Sequence, residues 1–345
     1  MSLWTPKFLR NDAFGLDISD RSFKYAELKK AYGIVDVKVF GKGLFPEGAI
    51  VGGEIKDIDA AARALAETIR AAHLSTNKII MALPEEKGFL RKIDIPADTP
   101  EEQTRSFLEL HLEEHIPLAA EDILFDYEHM APRTVIVTAF PRTVVERYIE
   151  LAQKAGFEPI IFETEMHALA RVAIPHKKEE HTVMAIDIGE MRAGIVIAEK
   201  GVVAFTSTKL LGGDTMIEAI KQATASSKEE ATRLFFEEGL NPEKKEVLGA
   251  LLPIVSTLRG EILQHIDFWQ THYQSKPDHI YLTGGAAHLE GLPEYLSYEL
   301  GIPVARAAAD LNLFDLQKSI PIINRHDALL WAIALGLAVR ALSYD

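Results

Sequence analysis

The sequence predicts an α/β protein of two lobes, each built on a β-sheet. Three observations carry that expectation. The chain has 345 residues, long enough for two cores well beyond the marginal size range. Strand-like and helix-like apolar periods alternate along most of it. And one local pattern occurs twice: an apolar run ending in Asp-Ile, a small residue, a turn and a second strand, first in "AFGLDISDRSFKYAEL" and again in "VMAIDIGEMRAGIVIAEKGVVAF". The Asp-Ile pairs stand at 17–18 and 187–188, half a chain apart, which points to two related lobes with a cleft between them.

Taken in order, "FGLDIS", "FKYAELKK" and "IVDVKVFGKG" read as a meander of three short strands. A helix is expected over Ile58 to His73, with Ile58, Ala62, Leu65, Ile69 and Ala72 on one face and Asp57 as N-cap. "KIIMALP" reads as a buried strand. Residues 86–130 change character, reading strand, helix, strand, and look like a small inserted subdomain. Its helix carries a capping-box signature, with Thr99 at N-cap, Pro100 at N1 and Glu102 at N3, and Pro117 stops it. "RTVIVTAFPRTVVERYIELAQKAGFEPIIFE" then reads strand, helix, strand, with Gly156 ending the helix, an α/β unit resuming the first lobe. A charged linker follows at 175–181. Helices dominate from Gly213 to Gln274, with a break or kink expected at Pro253. "HIYLTGG" is a strand running into paired glycines, and a C-terminal helix closes the chain.

The bulk properties exclude several function classes. The formal net charge is −14, and a surface that negative repels nucleic acid and anionic lipid. There are no cysteines, so disulfides and cysteine-ligated metals are ruled out, which fits a reducing compartment. "MSLWTPKFLR" has no apolar signal-peptide core. The longest apolar run, Ala328 to Val339, is too short to span a bilayer and reads as a buried helix. Leu3, Trp4, Phe8 and Leu9 with Lys7 and Arg10 could touch a membrane, but a frayed or locally packed terminus is the favoured reading.

The repeated hairpins are the candidate chemistry. Two such turns facing each other can hold a polyphosphate: backbone N–H groups of glycine-rich turns supply the anion pocket, and Asp17 and Asp187 can hold Mg²⁺ through water. Each Asp alone could simply cap a turn at a strand end. Lys24 alternates with Phe23 and Tyr25, so it is either a phosphate grip or the exposed face of a strand. Gly284 and Gly285 either mark a tight strand-to-helix turn or let adenosine lie on bare backbone; Gly212 and Gly213 pose the same choice before a helix, with a loop favoured. "HLEEH" at 111–115 matches a zinc-peptidase pattern, but no third ligand is identifiable and accident explains a match this short. Trp269, Phe268 and Trp331 read as core, and the acidic run at 121–128 as a solvated edge.

Asp17, Ser19 and Lys24 resemble the first phosphate hairpin of the actin-like ATPases, and Asp187 and Gly189 the second. "IYLTGGAAHLEGLPEYLSYELGIPV" is similar to that superfamily's adenosine motif. Within it, "GLDISDRSFKYAEL", "HIPLAAEDILFDYEHM", "YIELAQKAGFEPIIFETEMHALARV", "AFTSTKLLGGDTMIEAI" and "WAIALGLAVRAL" resemble the PilM family of type IV pilus assembly proteins, relatives of the cell-division protein FtsA. The resemblance implies a two-lobed actin-like (ribonuclease H-like) fold with an inserted FtsA-type 1C subdomain. It divides the chain into subdomain 1A (1–85, 131–180 and 316–345), 1C (86–130), 2A (181–217 and 262–315) and 2B (218–261).

The resemblance further implies a cytoplasmic protein at the inner face of the cytoplasmic membrane, reaching the membrane only through partners. It would bind the N-terminal tail of a PilN-like membrane protein between 1A and 1C, engage the pilus motor or inner-membrane platform, and allow a homo-oligomer or ring. ATP and Mg²⁺ would be held by Asp17, Ser19, Lys24, Asp187, Gly189, Arg192, Gly213, Gly284 and Gly285. The pattern departs from the superfamily at three places: Ser19 replaces a glycine, Arg192 and Ala193 stand where hydroxyl residues are usual, and Thr232 and Phe235 align with a Glu and a Lys that contact adenosine. Hydrolysis also needs a base and a positioned water, for which Glu163 and Glu165 are candidates by location only. The expectation is a nucleotide-responsive scaffold with weak or no ATPase activity. The alternatives are a small-molecule kinase of the same superfamily, or the cytoplasmic actin-like domain of a GspL-type secretion protein.

Overall fold

The computed structural model describes residues 12–31, 34–175, 181–314 and 321–342. The amphipathic N-terminal residues 3–10 and most of the charged linker, 176–180, lie outside them. The chain divides into two compact units. Unit 1 comprises Met1–Val172, Leu313–Asn324 and Ile333–Asp345; unit 2 comprises Ala173–Asn312 and Arg325–Ala332.

Unit 1 opens with the expected meander, β1 (Phe14–Ile18), β2 (Ser22–Ala31) and β3 (Ile34–Leu44). A two-residue ladder, β4 (Ile50–Val51) with β5 (Glu54–Ile55), leads into α1 (Ile58–Ala71). Asp57 caps α1, its carboxylate accepting the Ala60 N–H at 2.9 Å. Then follow β6 (Lys78–Leu83), β7 (Phe89–Asp94), α2 (Thr104–His111), β8 (Ile123–Ala131), β9 (Thr134–Pro141), α3 (Arg142–Lys154), β10 (Glu158–Thr164) and α4 (Glu165–Ala173). Gly156 follows α3 at φ 90°, as the sequence suggested.

Unit 2 repeats the plan. A meander of β11 (Thr182–Ile188), β12 (Ala193–Glu199) and β13 (Val202–Lys209) is followed by α5 (Gly213–Thr224), α6 (Lys228–Glu237) and α7 (Lys245–Tyr273). Then come β14 (His279–Thr283), α8 (Leu292–Leu300), β15 (Val304–Arg306), α9 (Ala309–Leu313) and α10 (Arg325–Leu330); α11 (Ala332–Leu342) returns the chain to unit 1. The main sheets have the orders β10-β6-β1-β2-β3 and β13-β12-β11-β14-β15. Both are an antiparallel meander extended by two parallel strands beside its first strand. Asp17 and Asp187 are the penultimate residues of the corresponding strands β1 and β11, so the sequence echo is a structural repeat.

Burial follows strand alternation. In unit 1, Phe14, Leu16 and Ile18 of β1 share a core with α1 and α3. Gly15 points to the other face, where a Cβ would lie 2.2 Å from the Ala334 carbonyl oxygen of α11. The run from Ala328 to Val339 is buried as expected, but as two helices, α10 and α11, parted at Trp331.

Four local expectations are corrected. Phe268, read as core, is exposed on α7. The capping box does not form. Thr99 is held in a turn by its N–H bond to the Pro96 carbonyl, a 3-10 turn (Glu101–Gln103) starts behind Pro100 without a side-chain cap, and α2 begins only at Thr104. The strand at 134–141 does not join the main sheet: β9 is the middle strand of a separate sheet, β7-β9-β8. Period-two alternation marks a strand but does not name its neighbours. Pro253 does not break α7, because Leu251, Val255 and Leu258 bury that helix on either side of the missing N–H.

Candidate functional site

The first hairpin is set by the β1–β2 register, which places Lys24 directly opposite Asp17. Asp17 is buried at the strand end. Ser19 closes the turn on itself: its N–H donates to the Ser22 carbonyl at 2.8 Å and its hydroxyl to the same oxygen at 2.9 Å. That hydroxyl is therefore spent within the turn. The next residue, Asp20, was not singled out from the sequence. Its two carboxylate oxygens accept the Gly52 and Gly53 N–H groups at 2.9 Å each, pinning the hairpin to the β4–β5 turn. Nothing in the sequence links an acid in one hairpin to a Gly-Gly turn so far along the chain.

In unit 2 the second hairpin closes with the Gly189 N–H on the Arg192 carbonyl at 2.8 Å. It is packed against the start of α5: Gly213 N–H donates to the Gly189 carbonyl and Asp214 N–H to that of Glu190. The Gly213 amide is thus committed to the hairpin. Asp187 accepts the Thr283 hydroxyl at 3.0 Å. Gly284, at φ 83°, passes so close that a Cβ would lie 2.5 Å from the Ile188 carbonyl oxygen and 2.8 Å from Asp187 Oδ1. Only glycine fits that approach. Gly285 begins the 3-10 turn Gly285–His288. Unit 2 therefore brings together Asp187, Gly189, Arg192, Gly213, Gly284 and Gly285, as unit 1 brings together Asp17, Ser19 and Lys24. On α6, Phe235 is core, and the Thr232 hydroxyl bonds back to the Lys228 carbonyl.

The two carboxylates considered as bases part company. Glu163 is paired bidentately with Arg171, one bond being 2.8 Å. Glu165, at the start of α4, accepts the Glu85 N–H at 3.5 Å. Burial above all, then the charges of Asp17, Glu86 and Glu85, hold its carboxyl well above the usual carboxylate range. The folded protein thus binds this proton more tightly than the unfolded chain, whose carboxyl titrates near ~4.3. Its stabilising contribution is complete below that pH and is lost as pH rises through the folded value. Glu165→Gln should therefore melt a few degrees higher than the parent near neutral pH, and level with it below about pH 4; thermal melts across that range check this.

The zinc-peptidase pattern is not realised. The α-helix ends at His111, whose Nδ1 lies 2.8 Å from Glu114. Among the described residues no group of three acids or histidines is placed to hold a metal.

A groove of about 430 Å³ lies wholly within unit 1, beside the small sheet. Leu83, Phe140, Val145 and Phe162 give it an apolar floor. Asp126 and Glu128 of β8 border one side, and Glu163, Arg171 and Arg340 supply charge. His167 Nδ1 bonds the Thr164 hydroxyl at 2.8 Å, while its Nε2 stands 3.5 Å from Glu128. Two acids of the run read as a solvated edge thus line a cavity.

A family model described as type IV pilus assembly protein PilM matches residues 15–342. Among solved structures, one described as the PilM-PilN type IV pilus biogenesis complex is similar, with a TM-score of 0.80 at 22% identity, covering 96% of this chain and 99% of that chain. MreB 5 of Spiroplasma citri bound to AMPPNP gives a TM-score of 0.57 at 12% identity, covering 96% of each chain. The ethanolamine utilization protein EutJ from Carboxydothermus hydrogenoformans gives 0.54 at 17% identity, covering 95% of this chain and 89% of that chain. No curated protein matches the chain in sequence. The chain thus shares a mixed α/β fold with these solved structures.

Proposed function

The chain belongs to the PilM family of type IV pilus assembly proteins, and on that premise we propose that it is a scaffold whose unit 1 groove captures the N-terminal tail of a PilN-like membrane protein. The observation that carries this reading is the groove itself. Its volume is that of a ligand site, its floor is apolar, and it lies between the small sheet and the main sheet of one unit. The sheet β7-β9-β8 with α2 is our counterpart of the FtsA-type 1C subdomain, with its end moved to Pro141 by the strand pairing; the rest of unit 1 corresponds to 1A. No helix among the described residues is long and apolar enough to cross a membrane. In this reading the protein reaches the inner face of the cytoplasmic membrane through its partners, the tail and the pilus motor or platform proteins.

ATP with Mg²⁺ is part of the same proposal. The residues of each unit suit it in part: in unit 1 Asp17 would meet the metal through water and Lys24 phosphate, and in unit 2 Asp187 would meet the metal and the bare backbone at Gly284 and Gly285 would admit adenosine. The bound nucleotide would supply a dense negative charge that biases conformation. The Ser19 hydroxyl and the Gly213 amide are already bonded within the protein, which supports a nucleotide-responsive scaffold over a turnover enzyme.

Titration with a synthetic tail peptide, and separately with labelled ATP plus Mg²⁺, tests both parts. We expect saturable peptide binding, and ATP affinity that Asp17→Ala abolishes. Phosphoryl transfer to a small acceptor without peptide affinity contradicts the scaffold. ATP affinity unchanged in Asp17→Ala contradicts the nucleotide assignment alone.

A further inference from the structure

We propose that the tail binds as an added β-strand on the outer edge of β8, an inference that rests on the groove reading above. In the order β7-β9-β8, strand β8 is terminal, and its outer edge has no partner strand among the described residues. The groove is bordered by residues 124–128 without a gap. Side chains of a strand alternate between its faces. The register puts Leu124, Asp126 and Glu128 on the face of Phe140, Thr138 and Ile136, which also line the groove. Phe125 and Tyr127 point the other way and pack on the small sheet's own core. A cavity that borders both sets borders the strand's main chain, and so its edge.

The hydrogen bonding fits. The Tyr127 N–H donates to the Asp126 carboxylate at 3.0 Å, a side chain standing in where a neighbouring strand would accept. In an antiparallel ladder the groups facing one side belong to every second residue, so Phe125 and Tyr127 present the outward N–H and C=O groups. β10 is also a terminal strand beside the groove. It carries Pro159 and a register irregularity between Pro159 and Ile161, devices that blunt an edge. The register irregularity of β8 lies beyond the groove, between His129 and Ala131, and Ile123 to His129 pair without a shift and without proline. The occupant that fits is an extended peptide: main-chain bonds to β8 supply affinity, and every second side chain faces the apolar floor.

The test is a scan of backbone N-methyl groups along the synthetic tail peptide, titrated into the full chain. Strand addition predicts a weakening of about tenfold or more at every second position and little change between. Amide exchange of the protein should show new protection at Phe125 and Tyr127 but not at Asp126 and Glu128. Affinity insensitive to methylation, or lost without alternation, overturns strand addition. The variant Thr138→Trp separates the two readings: if it blocks a methylation-insensitive peptide, the groove stands and only the strand mode fails. If the peptide binds that variant as it binds the parent, or binds neither, both fail.

Discussion

Gly336→Ala is expected to lower the melting temperature by about 4 °C, the equivalent of about 3 kcal/mol in a protein of this size. Helix propensity alone gives the opposite sign, since alanine is favoured over glycine inside a helix by about 1 kcal/mol. Packing decides it. A Cβ on Gly336 of α11 would lie 2.0 Å from the Ala168 carbonyl oxygen and 2.6 Å from its carbon, both backbone atoms of α4. No flexible side chain can yield there, so the helices must part. They cannot part cheaply, because Leu335, Leu337 and Ala338 are fully buried beside the contact. Gly15 on β1 repeats the device against Ala334, so two glycines set the spacing of strand and helices. Gly260→Ala in α7 is the control. It meets no atom within 4 Å and should hold or raise the melting temperature, by up to about 1 kcal/mol. Equal melts for the parent and Gly336→Ala would show that this contact is looser than described.

Thr138→Trp is expected to weaken binding of the tail peptide about 100-fold or more while leaving the fold intact, a loss of about 2.7 kcal/mol. Thr138 lies on β9 between Ile136 and Phe140, on the face that floors the groove, and it is not part of the closed core. An indole there fills space that an extended peptide must enter. The small sheet keeps its own core on the opposite face, around Ile93, Leu108, Leu112 and Val137. The expected signature is lost peptide affinity with unchanged thermal melting. Unchanged affinity places the peptide elsewhere.

What the sequence discloses follows from how local each signal is. The meanders, α1 with its Asp57 cap and the Asp-Ile echo are written in short-range periodicity and turn chemistry, and the structure bears them out. The sheet membership of β9 is not local, because alternation says that a residue is in a strand but not which strand lies beside it. The capping box failed to Pro96 and Pro100, whose turn claims Thr99 first. A break or kink is expected at Pro253, yet α7 runs on through it, because burial on both sides outweighs one missing N–H. Of the candidate residues, Asp17 opposite Lys24 in unit 1 and Asp187 beside the Gly284 turn in unit 2 stand out by local pattern alone. Asp20 and the separation of Glu163 from Glu165 do not, since their partners lie on distant elements. The groove was approached only through family resemblance, because its floor is assembled from β6, β9, β10 and α3.

The central claim is that unit 1 holds the tail of a PilN-like protein in this groove. Site-specific photo-cross-linking in cells tests it most directly, with a photoreactive residue at Thr138 and, as control, at Leu210, which is 81% exposed in unit 2. The account predicts an adduct from position 138 whose cross-linked fragment is the N-terminal tail of the PilN-like protein, and none from position 210. Adducts at 210 with none at 138 would contradict it.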